Sequence, residues 1–177
     1  VRGDPLGRCP RAVIDVADKL ARQGKTGREE LAEAGGELSA APYAAMRSSK
    51  PHLDARNLRA WLADPQLAAR QRLYVLLLGI TGDQSDAAAL EQRLDADWQA
   101  GDATNLAPML TADLELRGPA RVNWVEEKYL RDRSRSAAEI EAALLALSVQ
   151  GHTNAVIPRE RVIQSYRVYM KAHPENA

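Results

Sequence analysis

The chain has 177 residues, with 24 lysines and arginines balancing 24 aspartates and glutamates, three histidines and one cysteine. That length suits one domain with a core large enough to need no disulfide or metal staple. A formal charge of zero argues against a protein built to grip nucleic acid or an anionic membrane, because such affinity comes from a cationic excess. A lone cysteine forms no intramolecular disulfide, which leaves the redox compartment open.

In chain order, residues 1–10 hold Gly3, Pro5, Gly7 and Pro10 and read as a loose lead-in, with Cys9 an inert thiol inside it. A first helix is expected over residues 11–23, where Val13, Val16, Ala17 and Leu20 fall at helical spacing. Gly24 to Gly27 breaks it, and a second helix over 28–38 is weakened by Gly35 and Gly36. A short piece around 42–47 follows.

From Pro51 the punctuation sharpens. Asp54 caps a helix carrying Leu58, Trp61 and Leu62; Asp64-Pro65 caps the next and puts proline at its first position, where its missing N–H is harmless. That helix holds the apolar run Leu73 to Leu78, too short to cross a bilayer and apolar nearly all round, as in a buried helix. Gly79 to Gly82 is expected to stop it, and Asp83 or Ser85 to start a helix bearing Ala87, Leu90, Leu94 and Trp98. Gly101-Asp102 leads into a helix with Leu106, Leu110 and Leu114 on one stripe, where Pro108 must occupy the first turn. Gly118-Pro119 opens a helix with Val122, Val125 and Tyr129. Ser136 and Glu139 form a capping box ahead of Ile140, Leu144 and Leu147. Residues 151–157 read as a loop, and Pro158 starts a last helix with Val162, Tyr166 and Tyr169 facing inward.

No segment alternates with period two, so the expected class is all-α. Expected helix starts near residues 65, 84, 103, 119, 136 and 158 recur every 33 to 39 residues per helix pair. That period suggests antiparallel hairpins stacked as a short HEAT-like α-solenoid over 51–177, preceded by an N-terminal extension over 1–50.

The segments "LDARNLRAWLADPQLAARQRLYVLLLGITGDQSDAAALEQRL" and "IPRERVIQSYRVYM" resemble a group of bacterial helical-repeat proteins. Its members carry a similar Leu-Arg-Trp-Leu-Asp-Pro segment, a Leu-Tyr-Leu-Leu-Gly helix and a Gly-Asp turn. The resemblance covers roughly residues 52–170 and implies the repeat fold and, because the helical part of such proteins often follows an export signal, a location outside the cytoplasm. It implies no activity and no site residues.

Gly24-Lys25-Thr26 looks like the end of a phosphate-binding loop, but the required earlier glycine is replaced by Lys19 and no strand precedes it. His52, His152 and His173 lack metal-ligand spacing and read as exposed loop residues. No nucleophile elbow or acid–base pair emerges, so no catalytic residue, metal ligand or cofactor is assigned. Glu126-Glu127 and the pair Asp95 and Asp97 read as solvated helix faces. Arg131, Arg133 and Arg135 form the densest cationic run, able to clamp an anionic group or simply to favour a helix C-terminus. Trp61 and Tyr74 belong to apolar stripes, whereas Trp98 and Trp124 have polar neighbours and are candidate interface anchors.

The reading that follows is a non-catalytic helical module that binds another protein, or another domain of its own longer chain, with Trp98, Trp124, Arg131, Arg133 and Arg135 as candidate contacts. Nucleic acid is not the expected partner. The alternatives are an enzyme on a HEAT-like scaffold, of the glycosylase or lyase type, and a structural region of a larger exported protein.

Overall fold

The computed structural model describes residues 42–176, so the expected helices over 11–23 and 28–38, the Gly24–Gly27 turn and Cys9 lie outside the described residues. Among the described residues the fold is all-helical, with no strand. They fall into two compact units, one ending at Thr81 and the other beginning at Gly82.

The first unit contains α1 (Tyr43–Ser48), α2 (Ala55–Ala63) and α3 (Gln71–Thr81). Asp54 caps α2 by accepting from the Arg56 backbone N–H at 2.8 Å. Asp64 accepts from the Gln66 N–H at 2.9 Å. The turn it caps differs from the expected one, since Pro65–Arg70 is a 3-10 helix and the α-helix proper begins at Gln71. Helix α3 buries seven side chains or glycines, Leu73, Tyr74, Val75, Leu77, Leu78, Gly79 and Ile80, as its all-round apolarity requires. Met46 and Leu58 complete this core, and Trp61 packs on Tyr74 with ring centroids 5.3 Å apart. Gly79 does not end the helix. An interior glycine costs about 1 kcal/mol relative to alanine, less than the burial of the adjacent Leu77, Leu78 and Ile80 returns. The helix runs to Thr81, whose hydroxyl donates to the Leu77 carbonyl at 2.9 Å.

The second unit contains α4 (Gln84–Ala100), α5 (Leu106–Arg117), α6 (Val122–Val125), α7 (Ala137–Thr153) and α8 (Arg159–Ala172). Each of the four longer helices packs on the next in chain order: α4 on α5, α5 on α7, α7 on α8. Asp83 starts α4 through a capping box whose return bond joins the Asp83 N–H to Asp86 at 2.9 Å. Gly101, at φ 66°, ends it in the left-handed conformation that glycine adopts without strain. Pro108 is the third residue of α5, within the first turn as anticipated. At the centre, α5 buries Leu106, Met109, Leu110 and Leu114. Gln150 of α7 donates to the Thr111 carbonyl at 3.2 Å and to Glu115 at 3.1 Å, tying α7 to α5.

Two local features depart from the sequence reading. The helix opened by Pro119 is α-helical only over Val122–Val125 and then widens into a π-turn, Glu126–Leu130, closed by the Arg131 N–H on the Glu126 carbonyl at 2.9 Å. Val122, Val125 and Tyr129 are nevertheless fully buried. Residues 151–153, expected in a loop, continue α7, which ends at Asn154 with φ 49°. A Cβ on Gly151 would lie 3.1 Å from the Val162 side chain, so this glycine permits the close approach of α8 rather than breaking α7.

Candidate functional site

In the second unit, side chains far apart in sequence form an alternating column of cations and indole rings. The Arg121 guanidinium lies 3.6 Å from the Trp124 ring centroid. Lys128 follows, with its ammonium 4.9 Å from Trp124 and 4.6 Å from Trp98. The Arg135 guanidinium is 4.7 Å from Trp98. Each element contributes by position: Trp98 comes from the last turn of α4, Trp124 from α6, Lys128 from the π-turn and Arg135 from the residue before the α7 cap. Both tryptophans are half-buried, and Tyr129 meets Trp124 edge-on at 5.9 Å.

Every cation in the column also holds a carboxylate. Arg121 pairs with the fully buried Asp113 and, at 2.9 Å, with Glu91. Arg117 bridges the same two acids at 3.0 and 2.9 Å. Lys128 pairs with Asp95, and Arg135 reaches Asp132 and Glu139, each at 3.0 Å. Burial raises the Asp113 carboxyl above its ordinary range, with the guanidiniums of Arg121 and Arg117 opposing that rise. Burial, reinforced by the Glu139 charge, pushes the Tyr129 hydroxyl up to about 12. With its cations already neutralised, the column is suited to holding α4, the π-turn and the start of α7 together, and poorly suited to clamping an external anion.

Of the sequence-derived candidates, Trp98, Trp124 and Arg135 come together in this column. Arg131 and Arg133 do not join them. Arg131 pairs with Glu127 of the preceding turn at 2.9 Å, and Arg133 pairs with Glu175 at 3.1 Å. Two of the acids read as solvated are buried. Glu126 accepts from Arg161 and from Ser165, the latter at 2.8 Å; burial raises its carboxyl, but these bonds outweigh it and hold the group below its ordinary value. Asp97 is buried and accepts from Arg93 at 3.0 Å. Glu127 and Asp95 are exposed as expected.

The histidine reading needs a similar correction. His152 is exposed but lies within α7, and His52 is half-buried in a 3-10 turn. His173 is buried, with Nε2 3.1 Å from the Leu130 carbonyl, Nδ1 3.4 Å from Glu175 and its ring 4.9 Å from that of Tyr169. No group of three potential metal ligands occurs among the described residues.

A second feature went unread in the sequence. Between α7 and α8 lies an open groove of about 590 Å³ whose lining is mixed: apolar and aromatic side chains such as Leu144, Leu145 and Tyr166 beside charged ones such as Arg133, Glu141 and Glu175. Tyr166, expected to face inward, lies on the rim, where its hydroxyl donates to the Leu144 carbonyl at 3.2 Å. Beside it stand the large exposed apolar side chains: Leu145 at 54%, Met170 at 49%, Ile163 at 45% and Tyr166 itself at 37% exposure. The signal was present, because Ile163, Tyr166 and Met170 recur at i, i+3 and i+7, a second apolar stripe beside the buried Val162 and Ser165.

No helix among the described residues is long and apolar enough to cross a membrane. No family model, curated protein or solved structure matches the chain.

Proposed function

We propose that the chain is a non-catalytic helical interaction module that docks protein on the α7/α8 face of its second unit. One observation carries this reading: Leu145 and Tyr166 stand exposed on an open groove between α7 and α8, and Ile163 and Met170 are exposed on the same stripe of α8 as Tyr166. Scattered single apolar residues are ordinary on a protein surface, whereas several large ones on neighbouring helices beside a groove favour an interaction site. The cations of the groove do not favour a nucleic-acid-processing reading. Arg133 and Arg135 both line it, but their charges are met by Glu175, Asp132 and Glu139. The successive packing of α4, α5, α7 and α8 supports a short HEAT-like stack as the scaffold.

The test is site-specific photo-crosslinking from positions 145 and 166, with Gln92, on the exposed side of α4, as control position. Protein adducts from 145 and 166 that are absent from 92 are expected. Equal labelling from all three, or none from any, refutes the α7/α8 face as the docking surface.

A further inference from the structure

We infer that the partner segment is acidic: an amphipathic stretch of another protein whose apolar side covers Ile163, Tyr166 and Met170 and whose carboxylates meet Arg159, Arg167 and Lys171. This inference rests on the reading of the α7/α8 face as a docking surface and adds the chemistry of the partner. Its basis is where the second unit leaves positive charge unmatched. Outside α8, every lysine and arginine of that unit holds a carboxylate. On α8, Arg161 does the same with Glu126. Arg159, Arg167 and Lys171 do not: all three are exposed, and none pairs with an acid among the described residues. Arg159 donates instead to the Gly151 carbonyl, at 3.4 Å. The unmatched cations of the second unit therefore all stand on the helix that carries the exposed apolar stripe.

The helix dipole accounts for one of them. Lys171 lies in the last turn, where a cation is favourable. Arg159 is the first residue of α8, where the dipole disfavours a cation, and Arg167 precedes Lys171 by four residues, a like-charge spacing that costs stability. Their placement relative to the stripe is one-sided. Arg167 and Lys171 follow Ile163 at steps of four and run along one flank of the stripe. The other flank is the groove, which Tyr166, Tyr169 and His173 line from α8 and Glu141 from α7. Glu160 is the single acid of α8. From Arg159 to Lys171 the helix rises roughly 18 Å, enough for about three turns of a helix laid along it. An anionic lipid surface fits less well, because Glu141 and Glu175 line the groove beside the stripe and would face the bilayer too.

Fluorescence anisotropy on the full chain tests this with a labelled helical peptide bearing leucines on one face and glutamates along its flank. Peptides with lysine or glutamine in place of glutamate serve as comparisons. The glutamate peptide is expected to bind weakly and in a salt-sensitive way, and the lysine peptide not to bind. Arg167→Glu weakens the glutamate peptide roughly tenfold. Arg131→Glu, the same change of charge at an exposed cation that already holds Glu127, leaves it unchanged. Reversing Arg167 and Lys171 together transfers the preference to the lysine peptide, and Ile163→Ser weakens binding without altering the preference. These positions are exposed, and far-ultraviolet circular dichroism verifies that each variant stays folded. The inference is overturned if the glutamate peptide does not bind, if the three peptides bind equally, if Arg167→Glu matches the parent, or if phosphatidylserine vesicles bind more tightly than the peptide. Should any of these occur while positions 145 and 166 still give specific protein adducts, the docking face stands and its acidic preference falls. Should the adducts be missing as well, both fall.

Discussion

The apolar core around α3 and the column around Asp113 and Trp124, which adds to the second unit's own apolar core, are held together by different means. The first is made of leucines, an isoleucine, a tyrosine and a methionine within residues 46–80 and depends on excluding water. The second buries Asp113 and Arg121 and half-buries two indoles and Lys128, which come together from positions spread over residues 91–139. In the first, truncation removes volume. In the second, it strands a charge.

That difference predicts opposite couplings. Asp113→Ala leaves the buried Arg121 without its closest acid and should cost about 3–5 kcal/mol in chemical denaturation. Adding Arg121→Met, which keeps the stem and removes the charge, should recover part of that loss. Leu77→Ala in α3 should cost about 2–5 kcal/mol, and adding Leu58→Ala should lower stability further. Simple addition at both sites would dissolve the distinction.

A smaller effect sharpens the packing side of the comparison. With its Cβ 3.1 Å from the Val162 side chain, Gly151→Ala requires that side chain to yield by a few tenths of an ångström and should cost about 1–3 kcal/mol as overpacking. Paired with Val162→Ala, the same substitution should cost less than the sum of the two singles. A stabilising effect of Gly151→Ala alone would mean that helix propensity outweighs the close approach.

The polar side has a pH signature. Glu126 and Glu139 are held below their ordinary value of 4.5 in the folded chain: burial raises both, and bonds from Arg161 and Ser165, and from Ser136 and Arg135, outweigh it. A carboxyl depressed by folding contributes stability that is complete above its unfolded value and is lost as pH falls through the folded one. Stability should therefore decline below about 4.5 on account of this pair. Glu126→Gln should lower stability at neutral pH and flatten the acid limb. Asp113, raised by burial, acts in the opposite sense, so the decline should be steeper in Asp113→Asn than in the parent.

The two regions also differ in how far the sequence disclosed them. Leu73 to Leu78 announce a buried helix by composition alone, and Asp54, Asp83 and Ser136 announce helix starts because a cap acts within three residues. Local rules reach such features. The column is built by pairs such as Arg121 with Glu91 and Lys128 with Asp95, separated by 30 and 33 positions, and no local period encodes them. Trp98 and Trp124 stand out in the sequence by their polar neighbours, but no local rule places Lys128 between them. The three arginines of residues 131–135 look like one cluster because they are close in sequence; the backbone leaving the π-turn sends them to different acids, Arg131 to Glu127, Arg133 to Glu175 and Arg135 to Asp132 and Glu139. Gly79 and Gly151 misled for a related reason, since glycine breaks a helix only where tertiary packing does not reward its continuation.

The smallest effect tests whether local rules hold equally in both units. Asp54 and Ser136 each cap a helix through one side-chain oxygen, but only Ser136 sits in a reciprocal box, with Glu139 returning a bond to its N–H at 2.9 Å. Ser136→Ala and Asp54→Ala should each cost about 1 kcal/mol. The serine variant also removes the hydroxyl bond at 2.8 Å to the Glu139 carboxylate that anchors Arg135 over Trp98, leaving that carboxylate the backbone N–H alone at this cap, so the loss should spread into the column. Tryptophan fluorescence of Ser136→Ala should change under native conditions, whereas Asp54→Ala should leave Trp98 and Trp124 unperturbed. An unchanged spectrum in Ser136→Ala would show that the column holds its geometry without the cap, with Asp132 alone fixing Arg135.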